Sequence, residues 1–386
     1  MNRTRIAWDT QLGMMVAGIT VTSLGPARPF LIAEHGLSLT LAGTVFAFFS
    51  GSRTATVLLS TVIADRLPRK PMLLVAHGGF AVGLLTFALA PAFLLHLAAI
   101  AVAGAGFGFT DAISNAVVAE VFPERRGFAL NRLHAFFGLG CVIGPAFTSI
   151  LFAAGGHWRI AFAFAGAIAA AVTTLTALTD IPGKPAGAGD ATSASRATLL
   201  FLTTRGLILP AIVVLLFTGV SHGLIGWLNT YFGDVLGASA AAATVVLLCY
   251  NAGITLGRIA CSAYADRLGF RTTIVLNSGA GAAVLVLAAA TRSPLVAAAG
   301  YTLGGFFLAG IAPTAVAIAT SHAPTRTGET AARMFVFGAA GSFLVPFSMG
   351  VVGDWLGIAS GIAFAVVLVA IIAGTALALP RRRRYA

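Results

Sequence analysis

Only 9% of this 386-residue chain is Asp, Glu, Lys or Arg, where soluble domains carry roughly 25%. That scarcity excludes an ordinary soluble domain, because a chain that is 58% hydrophobic cannot hide its apolar surface behind so thin a polar shell. Acidic residues are scarcer still, 12 against 24 basic ones. Cysteine is reduced to three residues, Cys141, Cys249 and Cys261, each inside an apolar run and none at metal-ligand spacing. This argues against a disulfide framework or a metal site marked by spacing. No GxxxxGKS loop is present, so ATP is not the direct energy source. Side chains able to do covalent chemistry are scattered singly, with no nucleophile beside a base; the chain does not read as an enzyme and implies no cofactor.

What is present is length of apolar sequence. Runs of about 20 residues, enough to cross a hydrocarbon core of roughly 30 Å as α-helix, recur between short polar or Gly/Pro breaks. Twelve are placed, at 12–33, 40–63, 72–92, 94–118, 131–154, 158–179, 206–231, 240–264, 272–290, 296–319, 331–352 and 357–379. The first run is too long and too interrupted by proline to read as a cleaved signal peptide. The expected fold is an all-α integral membrane protein with twelve transmembrane helices, partnered by the lipid bilayer.

A net charge of +12 could point to nucleic acid, but its placement does not. Most Lys and Arg fall at both termini and in every second break between runs, the pattern of cytoplasmic loops. Both termini are therefore expected in the cytoplasm, with the chain a multi-pass, monomeric protein of the cytoplasmic (inner) membrane.

Between the sixth and seventh runs lies IPGKPAGAGDATSAS, small and Gly/Pro/Ser-rich, with no side chain to pack. It marks a cytoplasmic linker, 180–205, between two pseudo-symmetric six-helix bundles, 1–179 and 206–386. The halves repeat: ADRLPRK at 64–70 ends the second run and ADRLGFR at 265–271 ends the eighth.

Parallel six-helix halves with such a loop resemble the major facilitator superfamily. Asp65, Arg66, Arg69 and Lys70 resemble its signature between helices two and three, with Asp266 and Arg267 the counterparts in the second half. That resemblance implies a cytoplasmic gate latching the halves. Thr61 and Pro68 stand where the signature carries glycines. Four further stretches, DAISNA at 111–116, NRLHAFFGLGCVIGP at 131–145, GVSHGLIGWLNTYF at 219–232 and GITLGR at 253–258, resemble the fucose-permease-like branch, which includes proton-coupled sugar symporters. An acidic residue followed four positions later by Asn is that branch's pattern on helix four, matched by Asp111 and Asn115.

Asp111 is the only charged residue between Phe93 and Val118. A carboxylate at the bilayer centre costs about 2.5–3.5 kcal/mol on insertion scales, so such a group faces a cavity or a partner. Two readings stand open: a proton-coupling site, or a salt bridge to an intramembrane arginine. Arg53 and Arg258 lie on matching helices of the two halves, twelve and eight residues before Asp65 and Asp266, so helical rotation gives them pseudo-equivalent faces, and their guanidinium forks suit an organic anion. Arg28, between two prolines, is expected to snorkel to the outer interface. On helix seven His222, Trp227, Asn229 and Tyr231 are candidates to contact a polar ligand, as is Asn115 on helix four. Gly140, Gly144 and Pro145 of GCVIGP read mechanically, as a close helix approach and a bend. The expectation is secondary active transport of a small polar solute, sugar-like or anionic, by proton symport. Proton-coupled export of a drug or metabolite is the alternative.

Overall fold

A computed structural model describes residues 2–63, 67–181, 205–322 and 327–379, and every regular element among them is helical. In chain order they are α1 (Arg3–His35), α2 (Leu39–Ile63), α3 (Arg69–Leu89), α4 (Phe93–Val121), α5 (Arg126–Ala153), α6 (Trp158–Ala177), α7 (Arg205–Asp234), α8 (Ala240–Leu268), α9 (Phe270–Ala290), α10 (Pro294–Leu308), α11 (Ile311–His322), α12 (Thr327–Leu356) and α13 (Ile358–Leu377). All twelve expected spans are represented. The linker expected at 180–205 lies almost wholly outside the described residues.

Two differences from the expected spans have physical causes. The tenth span is not one helix but α10 and α11, separated at Ala309–Gly310. Pro313 has no N–H to give to the Ala309 carbonyl, so the helical ladder is interrupted there. Gly310 then lets α8 come close: a Cβ on it would lie 2.2 Å from Cys261 Sγ. The first span also starts earlier than its apolar run, because Asn2 caps α1 by accepting from the Arg5 N–H at 3.2 Å. Nine further residues are thereby brought into the first helix, among them Asp9, which is wholly buried.

The chain divides into two compact units, Met1–Leu37 with Thr44–Ala191, and Ser38–Gly43 with Thr192–Ala386. In the first, α3 packs on α4 and α6, and α1 on α5 and α6. In the second, α9 packs on α10 and α13, and α7 on α12 and α13, so the sequence repeat reappears as a repeated packing pattern. The short Ser38–Gly43 segment groups with the second unit because Asp354 accepts from the Leu39 and Thr40 N–H groups at 2.5 and 2.7 Å, occupying donors that a helix start leaves unpaired.

Glycines set the closest helix approaches. In the first unit, Gly104 and Gly108 of α4 face the α2 backbone; a Cβ at either would lie 2.2 Å from the Phe49 carbonyl oxygen and 2.5 Å from that of Arg53, respectively. In the second unit the corresponding pair is α8 and α10, and there Gly253 and Gly257 sit on α8, where Cβ atoms would fall 2.1 and 2.0 Å from the Thr302 and Phe306 carbonyls. The same contact is made from opposite sides in the two halves. Gly140 of GCVIGP plays this part between α5 and α1, its Cβ position lying 2.1 Å from the Met15 carbonyl oxygen.

Candidate functional site

The Gly108 contact decides what happens one turn further along α4. With the α2 backbone drawn against Gly108, the guanidinium of Arg53 reaches Asp111, and its NH2 donates to Oδ2 at 2.7 Å. The two side chains are 29% and 19% exposed, so the pair is not sealed inside the helix packing. The Arg53 guanidinium carbon lies 4.4 Å from the centre of the Phe107 ring, a cation–π contact that fixes the plane of the fork. Its Nε is buried with no hydrogen-bond partner, leaving a donor unspent.

Asn115, one turn beyond Asp111, donates from Nδ2 to the Asp111 backbone carbonyl at 2.8 Å and to its Oδ1 at 3.1 Å. The Asn115 side-chain oxygen in turn meets His134 Nε2 on α5 at 3.2 Å. Arg53, Asp111, Asn115 and His134 thus form one polar chain across α2, α4 and α5, with an ionisable group at each end. The salt-bridge reading of Asp111 is the arrangement present, and it joins the carboxylate to an arginine singled out as a ligand for anions. The ionised carboxylate holds the guanidinium by a charge-assisted hydrogen bond.

The helix-seven candidates, now on α7, are held differently. Trp227 is buried and donates from Nε1 to the Pro346 carbonyl at 2.8 Å. Asn229 is buried and donates to Thr244 Oγ1 at 3.0 Å. Tyr231 is buried against Phe232 and Tyr301, its hydroxyl 3.4 Å from the Ala289 carbonyl. His222 gives Nδ1–H to the Thr218 carbonyl at 2.8 Å, one turn back on its own helix. Arg258 is exposed on α8. Arg28, expected to snorkel, is instead buried, at 2% exposure, because it lies in the stretch of α1 from Val16 to Arg28 that is buried on all sides by its neighbours.

Of the gate residues, Asp65 and Arg66 lie outside the described residues, as does the side chain of Asp266. Arg69 is buried and binds Glu120 through NH2 at 2.8 Å and Nε at 3.5 Å, tying the start of α3 to the last turn of α4. Lys70 is half-buried and Arg267 exposed in the last turn of α8.

Sequence reading missed a second polar cluster in the first unit. Thr176 of α6 stands between Asp9 and His77, its Oγ1 2.6 Å from Asp9 Oδ1 and 2.9 Å from His77 Nδ1, with all three residues buried. Asp9 precedes the first apolar run, so only the helix extension to Arg3 reveals it as interior.

Comparison with known proteins bears on this geometry. The sequence pattern of the Major Facilitator Superfamily matches residues 11–294. A relative from Mycobacterium tuberculosis, described as an uncharacterized MFS-type transporter, is 31% identical over 170 residues, covering 43% of this chain and 24% of that protein. The "Probable sulfoacetate transporter SauU" of Cupriavidus necator is 32% identical over 173 residues, 44% of this chain and 40% of that protein. The chain thus spans well under half the length of these relatives in the matched regions. Among solved structures, a bacterial homolog of the human lysosomal transporter Spinster, inward-facing and unoccupied, superposes with TM-score 0.83 at 15% identity over 97% of this chain and 96% of that one. A D-xylose-proton symporter gives TM-score 0.81 at 15% identity, covering 98% of each chain. At such identities the likeness concerns the fold.

Proposed function

The chain belongs to the Major Facilitator Superfamily, and we propose that it is a secondary active transporter carrying a small polar solute across the membrane by alternating access, in symport with a proton. The observation that carries this reading is the Arg53–Asp111 ion pair, extended by Asn115 and His134, inside helices that span the bilayer. A charged pair in that place is costly unless it has a task.

The chemistry follows from competition for one guanidinium. While Asp111 is ionised it holds Arg53. A proton on Asp111 removes that hold, and Arg53 then offers its fork, with the already unpartnered Nε, to an anionic group on the substrate. Substrate and proton bind together because each favours the state that the other needs. Asn115 positions the carboxyl group and joins it to His134, which stands two hydrogen bonds from Asp111 at the end of the polar chain. The favoured substrate class is therefore a small organic anion; the sulfoacetate-transporter relative supports this over a neutral sugar. Arg258 and His222 are proposed as contacts from the second half, while Trp227, Asn229 and Tyr231 hold α7 in place for them. Asp65, Arg66, Arg69, Lys70, Asp266 and Arg267 are proposed as the cytoplasmic gate, and kinship with the fucose-permease-like branch is proposed on the motifs around Asp111 and Gly140.

The test begins with a thermal-shift screen of the purified protein against sulfonates, carboxylates and sugars, since a ligand of the folded state raises the melting temperature by mass action. With the substrate in hand, Asp111→Asn mimics the protonated carboxyl. In proteoliposomes it is expected to abolish gradient-driven accumulation while retaining counterflow exchange. Accumulation against a gradient with proton flux intact would remove Asp111 from the coupling role. Substrate-driven proton movement out of, rather than with, the solute's direction would favour the exporter alternative.

A further inference from the structure

At one end of the first unit, the last turn of α1 meets the first turn of α4. Glu34 and His35 close α1, and Gly36, at φ +61°, takes the left-handed conformation that stops the helix. His96, one turn into α4, is fully buried, yet neither of its ring nitrogens has a hydrogen-bond partner. His35 Nε2 is likewise buried without a hydrogen bond, 4.0 Å from Glu34 Oε1. The two imidazoles meet edge to face with centroids 5.2 Å apart. An oxygen of Glu34 and one nitrogen from each histidine all lie within 4.8 Å of one another.

Buried nitrogens without a hydrogen bond are costly, so the His96 ring and His35 Nε2, set beside a carboxylate, call for a ligand that all three share. We infer that Glu34, His35 and His96 form a binding site for a first-row transition-metal dication of the Zn²⁺ type.

The donor set selects the ion class: two neutral imidazoles and one carboxylate suit Zn²⁺ and its neighbours, whereas Mg²⁺ and Ca²⁺ prefer oxygen alone. Ligands about 2.1 Å from a tetrahedral Zn²⁺ lie roughly 3.4 Å apart, so the three atoms need to draw in by about an ångström. Glu34 and His35 can do this, since their side chains are 33% and 13% exposed and hinge from a helix end. Their exposure also gives the ion a way in, and water the fourth position. Arg159 of α6 binds Glu34 Oε1, the oxygen that also faces His35 Nε2, and so orients the carboxylate beside the two rings. The charge of Arg159 is itself offset, because its NH1 donates to the Ala88 and Ala90 carbonyls at 2.9 and 2.7 Å, at the C-terminal end of α3. The end of α1 adds outward carbonyls that favour a cation, set against the N-terminus of α4, which favours an anion such as Glu34. Bound there, the ion clamps α1 to α4 within the first unit.

The test uses the tag-free full-length protein in detergent, stripped with chelator and titrated with Zn²⁺ alone. One ion is expected to bind at micromolar concentration and raise the melting temperature, with excess Mg²⁺ failing to compete. Co²⁺ in its place should show the visible absorption of a tetrahedral site. His35→Gln and Glu34→Gln, both at the accessible rim, should fold and each weaken Zn²⁺ binding at least tenfold, about 1.4 kcal/mol. His96→Gln should do the same if it folds. No uptake by the stripped protein overturns the site, as does uptake undiminished in both rim variants.

Discussion

The Arg53–Asp111 contact shows how much one residue's chemistry depends on its partner. Lys at position 53 would keep the charge and the ion pair, yet lose the planar fork and the stacking on Phe107. Arg53→Lys is therefore expected to leave protein abundance unchanged and to weaken apparent affinity for an anionic substrate by about one to two orders of magnitude, roughly 1.4–2.8 kcal/mol. Concentration-dependent uptake or thermal shift measures it; equal affinity in the Lys variant would assign Arg53 to helix tethering. At Thr176 the expectation concerns stability. Thr176→Val removes the hydroxyl between Asp9 and His77 and leaves a buried carboxylate short of a donor. A loss of about 1–3 kcal/mol follows, read as a lower melting temperature in detergent. Arg53 and Asp111 were legible in the sequence as isolated charges within apolar runs, because a charge is conspicuous there. Asp9, His35 and His96 were not: polar residues near helix ends look the same whether they face water or the bundle interior.

Among the helices, glycine position governs packing more than hydrophobicity does, since lipid is as apolar as leucine and offers no contrast to drive association. The α8–α10 contact rests on Gly257, whose Cβ position lies 2.0 Å from the Phe306 carbonyl oxygen. Gly257→Ala has to push the helices apart and should cost about 1–3 kcal/mol, as overpacking does elsewhere. Gly279 of α9 provides the control, with nothing within 4 Å of its Cβ position. Gly279→Ala should be neutral or stabilising by up to about 1 kcal/mol, through helix propensity alone. Similar melting temperatures for the two variants would contradict the close-contact account. The existence of each span was readable from its apolar length. The split of the tenth span was not read, although Pro313 is its cause, because α10 and α11 together form one uninterrupted apolar stretch.

For the molecule as a whole, orientation in the membrane follows from charge. Basic residues at both termini and in alternate loops predict that a fluorescent-protein fusion after Ala386 fluoresces and an alkaline-phosphatase fusion there stays inactive, since both report a cytoplasmic end. The opposite pair of signals would invert the topology. The sequence by itself determined that this is a helical membrane protein built from two repeated halves. The reason is physical: a bilayer accepts only segments that satisfy their own backbone, their length is set by its thickness, and a duplicated motif stays visible as text. Only the tertiary structure decided which polar groups meet. Arg53 and Asp111 are 58 residues apart in the chain, and Thr176 and Asp9 are 167 apart. Helical periodicity tells which residues share a face of one helix, but the partner of that face depends on how closely two backbones approach and in what register. Here that is set by single glycines such as Gly108, whose missing side chain brings Arg53 within reach of Asp111.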